Sequence, residues 1–383
     1  MDGRQGGDVA GLYLHVPFCA SICNYCNFNR GLLDEQLKSE YVDALVRELD
    51  LRATGEPVDT LYFGGGTPSL LTVAEAARII DACRSAFSVA ADAEVTFEVN
   101  PETVDRATLE GFRSAGVNRL SFGVQSFDDD ELVRLDRRHD AARARRAVAD
   151  ARAAGFDNVS LDLMMWLPGQ TRERWRASVE ALIALGPEHA SLYLLEIYPN
   201  APLRDAMARE RWSRAPDDDA AAMYEEAMCL LELGGYAQYE ISNVARPGRE
   251  SRHNVKYWTG GAWYGLGPGA HGTVGRRRWR NVADTRAFIA AVADGRLPEA
   301  EVEDREAIER LQEQLFMGVR LTQGIDLMDL GARFGVDLMS RYAAELTRFA
   351  GAGVIDEAAL AQGRVVLTRR GQLLSNEVAG VFV

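Results

Sequence analysis

Three cysteines near the start of the chain have a spacing suited to metal chemistry. Cys19, Cys23 and Cys26 follow a C-x-x-x-C-x-x-C pattern, which gathers three thiols around one small volume. Soft thiolate ligands select zinc or an iron–sulfur cluster. A structural zinc site needs a fourth protein ligand, for which His15 is a candidate. A [4Fe-4S] cluster with three cysteine ligands instead keeps one iron free for an exchangeable small molecule, and the spacing alone leaves both alternatives open.

The cysteines directly follow the first of six strand-like segments, which alternate with helix-like segments. Apolar residues recur at helical spacing between the strands, as in residues 39–53 and 72–87. This alternation predicts right-handed βα units and a parallel sheet, either as an open barrel or as a doubly wound sheet. The strand-like segments are residues 11–18, 59–65, 93–100, 118–124, 158–165 and 190–198.

Polar residues or glycines stand at the carboxyl end of each strand-like segment. The carboxyl ends of parallel strands meet at one edge, and ligands bind at that edge in α/β folds. We therefore expect the cysteines and these positions to form one site. The positions are Gly64, Gly65, Gly66, Thr67, Glu98, Asn100, Gln125, Asp162 and Glu196.

The composition is that of a globular chain that does not cross a membrane. Of 383 residues, 47% are hydrophobic and 26% are charged, and no apolar run reaches the length of a membrane span. The first eleven residues lack the apolar stretch of a signal peptide, so we expect a cytoplasmic protein. The net charge of −14 repels phosphate backbones and argues against nucleic acid as a partner.

The two remaining cysteines, Cys83 and Cys229, lie in helix-like sequence and are predicted to be buried.

Changes in sequence pattern predict three domains. Residues 1–240 contain the alternating strands and helices, whereas residues 241–300 are rich in glycine, histidine and aromatic residues. We interpret this second part as a connecting segment of long surface loops. Residues 301–383 show helical spacing and one short strand-like stretch, which predicts a small, mainly helical domain that resembles a winged helix.

Residues 13–19 (YLHVPFC), with Cys23 and Cys26 and the Gly-rich end of the second strand, resemble the radical S-adenosylmethionine (SAM) superfamily. Within it, the chain is similar to the branch that contains oxygen-independent coproporphyrinogen III oxidase and the HemW heme chaperones. The resemblance implies an α/β fold, with a partial (β/α)6 barrel and a helical C-terminal domain. It also implies a [4Fe-4S] cluster on the three cysteines and SAM on the remaining iron. The SAM-binding residues that it implies are Tyr13, Gly64, Gly65, Gly66, Thr67, Glu98, Gln125, Arg137, Asp162 and Met164.

Three features favour the HemW branch over the oxidase. Phe28 stands where the oxidase branch has a further cysteine, and only twelve residues precede Tyr13, where the oxidase has a long extension. Residues 253–258 (HNVKYW) match the HNxxYW motif of the chaperone branch. The resemblance implies heme as a ligand, with His253 as its axial ligand and His271 as a second candidate. It further implies an electron donor and an acceptor protein for heme. The membrane is one location for this acceptor protein. We interpret the basic residues 276–280 as a solvated loop.

Two residues depart from the pattern of the family. Trp166 stands before Leu167 where the family has a small residue, and Asp136 replaces a glycine ahead of Arg137. An indole so close in sequence to Asp162 is expected to narrow or reshape the SAM pocket.

Overall fold

The computed structural model describes residues 9–199 and 201–383. Residues 1–8 lie outside the described part. They begin the first predicted domain, and they form most of the segment from which we predicted a cytoplasmic location. Twelve strands of the described chain form one sheet. They are β1 (Ala10–Val16), β2 (Pro57–Gly65), β3 (Ser88–Val99), β4 (Arg119–Gln125), β5 (Val159–Met165), β6 (His189–Leu194), β7 (Ala237–Glu240), β8 (Asn243–Ala245), β9 (Trp263–Leu266), β10 (His271–Val274), β11 (Arg277–Asn281) and β12 (Glu299–Asp304).

The first six strands pair in parallel in chain order, from β1 to β6. A doubly wound sheet reverses its strand order at a switch point, so this sequential order excludes that alternative. The predicted parallel barrel is confirmed, and the sixth strand ends at Leu194 rather than at residue 198. Side chains on both faces of these strands are buried, as at Phe63 on one face and Thr60 and Thr96 on the other, because helices cover the outer face and the barrel interior covers the inner one.

Helices connect the parallel strands on the outside of the barrel. The first six begin at an Asp or Thr whose side-chain oxygen accepts a backbone N–H of the first helical turn. These caps fix where each strand-to-helix loop ends, and those loops carry the site. The helices are α1 (Glu35–Leu51), α2 (Val73–Ala86), α3 (Arg106–Ala115), α4 (Asp129–Arg134), α5 (Ala141–Ala153), α6 (Arg172–Leu185), α7 (Pro202–Glu210) and α8 (Asp217–Leu233).

The interpretation of residues 241–300 as surface loops is wrong. They form most of β8 to β12 and the helices α9 (Arg252–Thr259) and α10 (Thr285–Ala293), and β9 pairs in parallel with β1. Their glycines reflect close packing between strands, since a Cβ on Gly272 would lie 2.1 Å from the Trp279 ring. The basic residues 276–280 lie largely on β11, where Arg277 pairs with Glu299 at 2.6 Å. The sheet therefore crosses the predicted limit at residue 240, and the three-domain division stays a prediction.

The C-terminal part is helical, as predicted, and has a hydrophobic core separate from that of the barrel. An ion pair of 3.0 Å between Arg320 and Glu240 connects this part to the barrel. Across residues 9–199 and 201–383, no helix is long and apolar enough to cross a membrane. The remaining helices are α11 (Ala307–Gly318), α12 (Leu327–Phe334), α13 (Leu338–Arg341), α14 (Ala343–Gly351), α15 (Glu357–Ala361), α16 (Arg369–Leu373) and α17 (Ser375–Ala379).

Candidate functional site

A cavity of about 380 Å³ opens at the carboxyl ends of the parallel strands, and we call it the cysteine cavity. The loop after β1 contributes the three thiols, and the ends of β2 to β5 contribute most of the other predicted site residues. Tyr13, Gly64 and His253 are predicted site residues that do not line it. The predicted residues that line it are Cys19, Cys23, Cys26, Gly65, Gly66, Thr67, Glu98, Asn100, Gln125, Arg137, Asp162, Met164 and Glu196.

Hydrogen-bond donors surround the three cysteines. The Thr67 hydroxyl lies 3.5 Å from the Cys19 sulfur, and an Arg137 guanidinium nitrogen lies 3.5 Å from the Cys23 sulfur. Arg30 donates to the backbone carbonyl of Cys26 and so fixes the end of the loop. Burial raises the pKa of the Cys19 thiol, and the Thr67 hydrogen bond opposes this shift. Donors of this kind stabilise thiolates, which are the metal-binding form of cysteine.

The donor geometry favours a cluster over a single zinc ion. In the described ranges, no three His, Cys, Asp or Glu side chains converge on a point that could hold one ion. His15, the candidate fourth zinc ligand, has both ring nitrogens engaged, Nδ1 at 3.0 Å from the Tyr13 hydroxyl and Nε2 at 2.7 Å from the Asn29 carbonyl. In a [4Fe-4S] cluster each thiolate binds a different iron, so its cysteines need not meet at one point. The zinc alternative is therefore not supported.

A polar network links the loop that carries the three cysteines, which we call the cysteine loop, to the ends of β3 and β4. An Arg137 nitrogen donates to Asn100 Oδ1 at 2.7 Å and to the Gly123 carbonyl at 2.6 Å, and Asn100 donates to Thr67 at 3.2 Å. Three buried polar atoms of residues that line the cavity have no partner, Arg30 Nε, Arg137 Nε and Gln125 Oε1. Buried polar atoms in native proteins are nearly always hydrogen bonded. These three atoms, together with the soft thiol set, fit a site that receives a polar ligand beside a cluster.

Two carboxyl groups face the cavity from β3 and β5. Glu98 accepts a hydrogen bond from the Tyr62 hydroxyl at 2.8 Å and one from the Gly65 N–H at 3.1 Å. Burial raises the pKa of Glu98 to about 7 and the pKa of Asp162 to about 6. Ser121 donates to Asp162 at 3.3 Å. Both carboxyls thus titrate closer to physiological pH than ordinary carboxyls do, and a cationic or hydroxyl-bearing ligand would favour their ionised form.

The pKa of Glu98 predicts a pH-dependent stability. Its value of about 7 in the fold exceeds the ordinary 4.5, so the folded state holds a proton that the unfolded chain has released between these pH values. The stabilisation that the protonated Glu98 side chain gives to the fold is fully present below pH 4.5 and is lost as the pH rises through 7. Relative to Glu98→Gln, the free energy of unfolding of the wild type should fall by about 2 kcal/mol from pH 5 to pH 8. Denaturant titrations of the apo proteins measure it.

Glu225→Gln, on an exposed face of α8, is the control for this comparison. Its unfolding free energy should track that of the wild type at every pH. A constant difference between wild type and Glu98→Gln across this range would show that Glu98 ionises normally in the fold.

Two glycines of the run at the end of β2 are required by close packing. A Cβ on Gly66 would lie 2.6 Å from the Phe18 carbonyl oxygen and 2.8 Å from the Val16 carbonyl oxygen. Gly65 has a φ of 108° and lies under the His15 ring, which a Cβ would meet at 2.5 Å. The run therefore allows β2 to approach the backbone that carries Cys19.

The side chains of Tyr13 and His253 lie inside the barrel, behind the cysteine cavity. The Tyr13 ring centroid lies 6.2 Å from that of Tyr62, which in turn lies 5.2 Å from that of His253. His253 is fully buried, and its ring nitrogens lie 2.8 Å from the Thr60 hydroxyl and 2.9 Å from the Tyr257 hydroxyl. Burial lowers the pKa of His253 to about 3, so the ring is neutral. The structure thus leaves His253 no free nitrogen, whereas His271 is exposed on β10.

Trp166 and Asp136 occupy left-handed backbone positions. Their φ values are 65° and 54°, a region that glycine adopts without strain. The Trp166 indole does not line the cysteine cavity, since it donates to the Ala215 carbonyl at 2.7 Å and stacks on Arg214 at 3.6 Å. The expected narrowing of the pocket by Trp166 is wrong, because the side chain points toward the segment before α8.

Arg30 and Tyr25 are lining residues that the sequence reasoning missed, and the bridging role of Asn100 was missed as well. Asn100 carried a usable signal, since it lies two residues beyond Glu98 and alternate residues at a strand end share a face. Arg30 carried none, because its contact with Cys26 depends on the turn of the loop.

The fold and the three-cysteine site define a radical SAM protein. The sequence matches the radical SAM superfamily over residues 13–182 and the HemN C-terminal domain over residues 306–374. It is 36% identical to the heme chaperone HemW of Bacillus subtilis (strain 168), over 97% of this chain and 98% of that one. Identity to the heme chaperone HemW of Mycobacterium tuberculosis (strain ATCC 25618 / H37Rv) is 40%, over 97% and 94% of the two chains. The chain belongs to the HemW family.

The structural comparison confirms the fold. The chain superimposes on coproporphyrinogen III oxidase (HemN) from Escherichia coli with a TM-score of 0.85, over 99% of this chain and 91% of that one, at 23% identity. Membership of the radical SAM superfamily implies a [4Fe-4S] cluster and SAM.

Proposed function

We propose that this protein is a heme chaperone, which binds heme and transfers it to an acceptor protein. We also propose that it holds a [4Fe-4S] cluster and exchangeable SAM in the cysteine cavity. The observation that carries the heme part is the agreement of two relatives, which match nearly the whole chain and are both named heme chaperones. An electron donor and the acceptor protein are further parts of the proposal.

The cysteine cavity supports the cofactor part. Cys19, Cys23 and Cys26 would hold three irons of the cluster, while Arg137 donates toward the Cys23 sulfur. Two of the unpaired polar atoms, Arg137 Nε and Gln125 Oε1, would be satisfied by SAM. When bound, the cluster and SAM together supply one-electron chemistry.

The remaining residues of the cavity orient these groups. Tyr62 and the Gly65 N–H hold the Glu98 carboxylate toward the cavity. Asn100 joins Thr67 to Arg137, so that the donors to Cys19 and Cys23 belong to one hydrogen-bonded network. Met164 and Asp162 would contact SAM from β5, in keeping with their places in the lining.

The oxidase alternative has less support. Phe28 is 63% exposed and lines the cysteine cavity at the position where the oxidase branch has a cysteine. A phenyl ring neither ligates metal nor carries electrons. The likeness to the solved oxidase, at 23% identity, shows the shared fold.

One experiment separates the two functions. The protein is reconstituted anaerobically with iron, sulfide and SAM, and heme titration and coproporphyrinogen III oxidation are measured on the same sample. We expect saturable heme binding with a defined absorption spectrum and no protoporphyrinogen. Sustained protoporphyrinogen formation would overturn the chaperone proposal, as would the absence of heme binding by a folded, cluster-loaded protein.

The geometry does not support the prediction that His253 is the axial ligand of heme. Both ring nitrogens are hydrogen bonded, and the side chain has no exposed surface. An axial ligand must present a free nitrogen to the iron. The exposed His271 remains the accessible histidine of the two candidates.

A further inference from the structure

A second cavity, of about 490 Å³, lies at the opposite end of the parallel strands from the cysteines. Ala10 and Pro57, which begin β1 and β2, lie on one side, and α11 lies on the other. The C-terminal end of α9 and the β9–β10 hairpin complete the wall. We call it the α9/α11 cavity. Its volume falls in the range of small-molecule sites.

Two aromatic side chains form part of the wall of the α9/α11 cavity. The rings of Tyr257 and Trp263 meet edge to face, with centroids 4.7 Å apart. Both side chains are held in place, since the Tyr257 hydroxyl lies 2.9 Å from His253 and the Trp263 N–H donates to the His271 carbonyl at 2.8 Å. Met317 of α11 also lines the cavity. The wall thus combines a rigid aromatic surface with a soft thioether sulfur.

Three arginines and two glutamates, Glu56 and Glu313, line the cavity. Arg278 lies 2.5 Å from Glu313, and Arg305 lies 3.4 Å from Glu303. Arg310 lines the cavity and takes part in none of the ion pairs of the described chain, and its guanidinium stacks on Phe334 at 5.9 Å. The Arg310 guanidinium can therefore pair with a carboxylate of a ligand.

We propose that heme binds in the α9/α11 cavity, with its carboxylates at Arg310 and its iron facing the Met317 sulfur. Heme combines a flat apolar ring, two carboxylates and a metal that accepts thioether ligands, and the wall provides a partner for each. This inference rests on the proposed chaperone function and names the site of its ligand. It also gives His253 a role, since the His253 ring positions the Tyr257 hydroxyl behind the aromatic wall.

The proposed heme site is separate from the cysteine cavity, because the two lie at opposite ends of β1 and β2. Helix α11 forms one wall and belongs to the C-terminal core, whereas the other walls belong to the barrel.

The test titrates heme into the reconstituted full-length protein and into three variants. Arg310→Glu reverses the charge that binds the carboxylates and should weaken heme binding at least ten-fold. Met317→Leu keeps the volume of the side chain and should change the absorption spectrum of the bound heme. Arg286→Glu makes the same charge change on the exposed face of α10 and should leave the affinity unchanged.

Each outcome of this titration has a definite meaning. Normal affinity in Arg310→Glu together with a normal spectrum in Met317→Leu would overturn the site while the chaperone function stands. Loss of the heme spectrum in His271→Ala alone would overturn it as well and assign the ligand to β10. A wild-type protein that is folded and loaded with cluster but does not bind heme would instead overturn the proposed function itself.

Discussion

Replacing Cys23 with serine is expected to abolish assembly of the iron–sulfur cluster. Cys23 is partly exposed and lines the cavity between the other two cysteines. A serine oxygen is a hard donor that replaces a soft thiolate poorly, so an intact [4Fe-4S] cluster would lose one of its three protein ligands. Iron and sulfide content after anaerobic reconstitution should fall at least ten-fold, with loss of the visible absorption of the cluster.

Cys229→Ser provides a matched control for this variant. Cys229 is an exposed thiol on α8, although the sequence predicted it to be buried, and it does not line the cysteine cavity. Cluster content in Cys229→Ser should equal that of the wild type. The same loss in both variants would mean that iron binds to thiols without selection, and normal iron content in Cys23→Ser would remove Cys23 from the ligand set.

The stability of the apo protein separates a ligand role from a folding role. Substitution of a partly exposed thiol by a hydroxyl of similar size changes the free energy of unfolding by about 0.5 kcal/mol or less. The apo forms of the wild type and Cys23→Ser should therefore unfold at the same denaturant concentration. A large loss of stability in the apo variant would attribute the missing cluster to misfolding of the loop.

The barrel and its site edge could be predicted from sequence, because both follow from local patterns. Buried parallel strands are continuous apolar runs, and each ends where polar residues or glycines begin, as at Gly64 and Glu98. The chain order of the strands then brings those ends to one edge. This reasoning located the cysteine cavity without knowledge of any long-range contact.

The second half of the sheet could not be predicted in this way. Strands β9 to β12 are short, and glycines interrupt them at Gly265 and Gly272, which removes the alternation of a half-buried strand. The glycines are needed because β10 passes close to its neighbours, so that a Cβ on Gly265 would lie 2.0 Å from the His271 carbonyl oxygen. Only the three-dimensional contact distinguishes such a glycine from one in a loop.

The role of the HNxxYW motif shows a further limit of sequence reasoning. A histidine beside two aromatic residues has the composition of a heme site, and the motif does border the α9/α11 cavity through Tyr257. Helical spacing, however, places His253 one turn before Tyr257 and on its inner side, where the barrel interior buries the ring. Arg310 and Met317 are distant in sequence from the motif and have no signal that connects them to it.

Replacing Gly66 with alanine is expected to destabilise the protein and to disturb the cluster site together. The added methyl group would lie 2.6 Å from the Phe18 carbonyl oxygen, and that atom belongs to the backbone and cannot rotate away. The Gly66 N–H also donates to the Val16 carbonyl at 2.7 Å, so β2 cannot simply move back. Overpacking of this kind costs about 1–3 kcal/mol, which should appear in the free energy of unfolding of the apo protein.

The same displacement reaches the metal site through one short segment. Phe18 and Cys19 form a two-residue strand, so a shift of the Phe18 carbonyl moves the Cys19 sulfur relative to its donor, Thr67. We therefore expect cluster content in Gly66→Ala to fall several-fold even under conditions in which the variant is fully folded.

Gly351→Ala is the matched control, because its Cβ meets no atom within 4 Å and its φ is not left-handed. It should keep its cluster and its stability within about 1 kcal/mol. Wild-type stability and cluster content in Gly66→Ala would show that the segment of Cys19 adapts freely, and that close packing at the end of β2 does not set the position of this ligand.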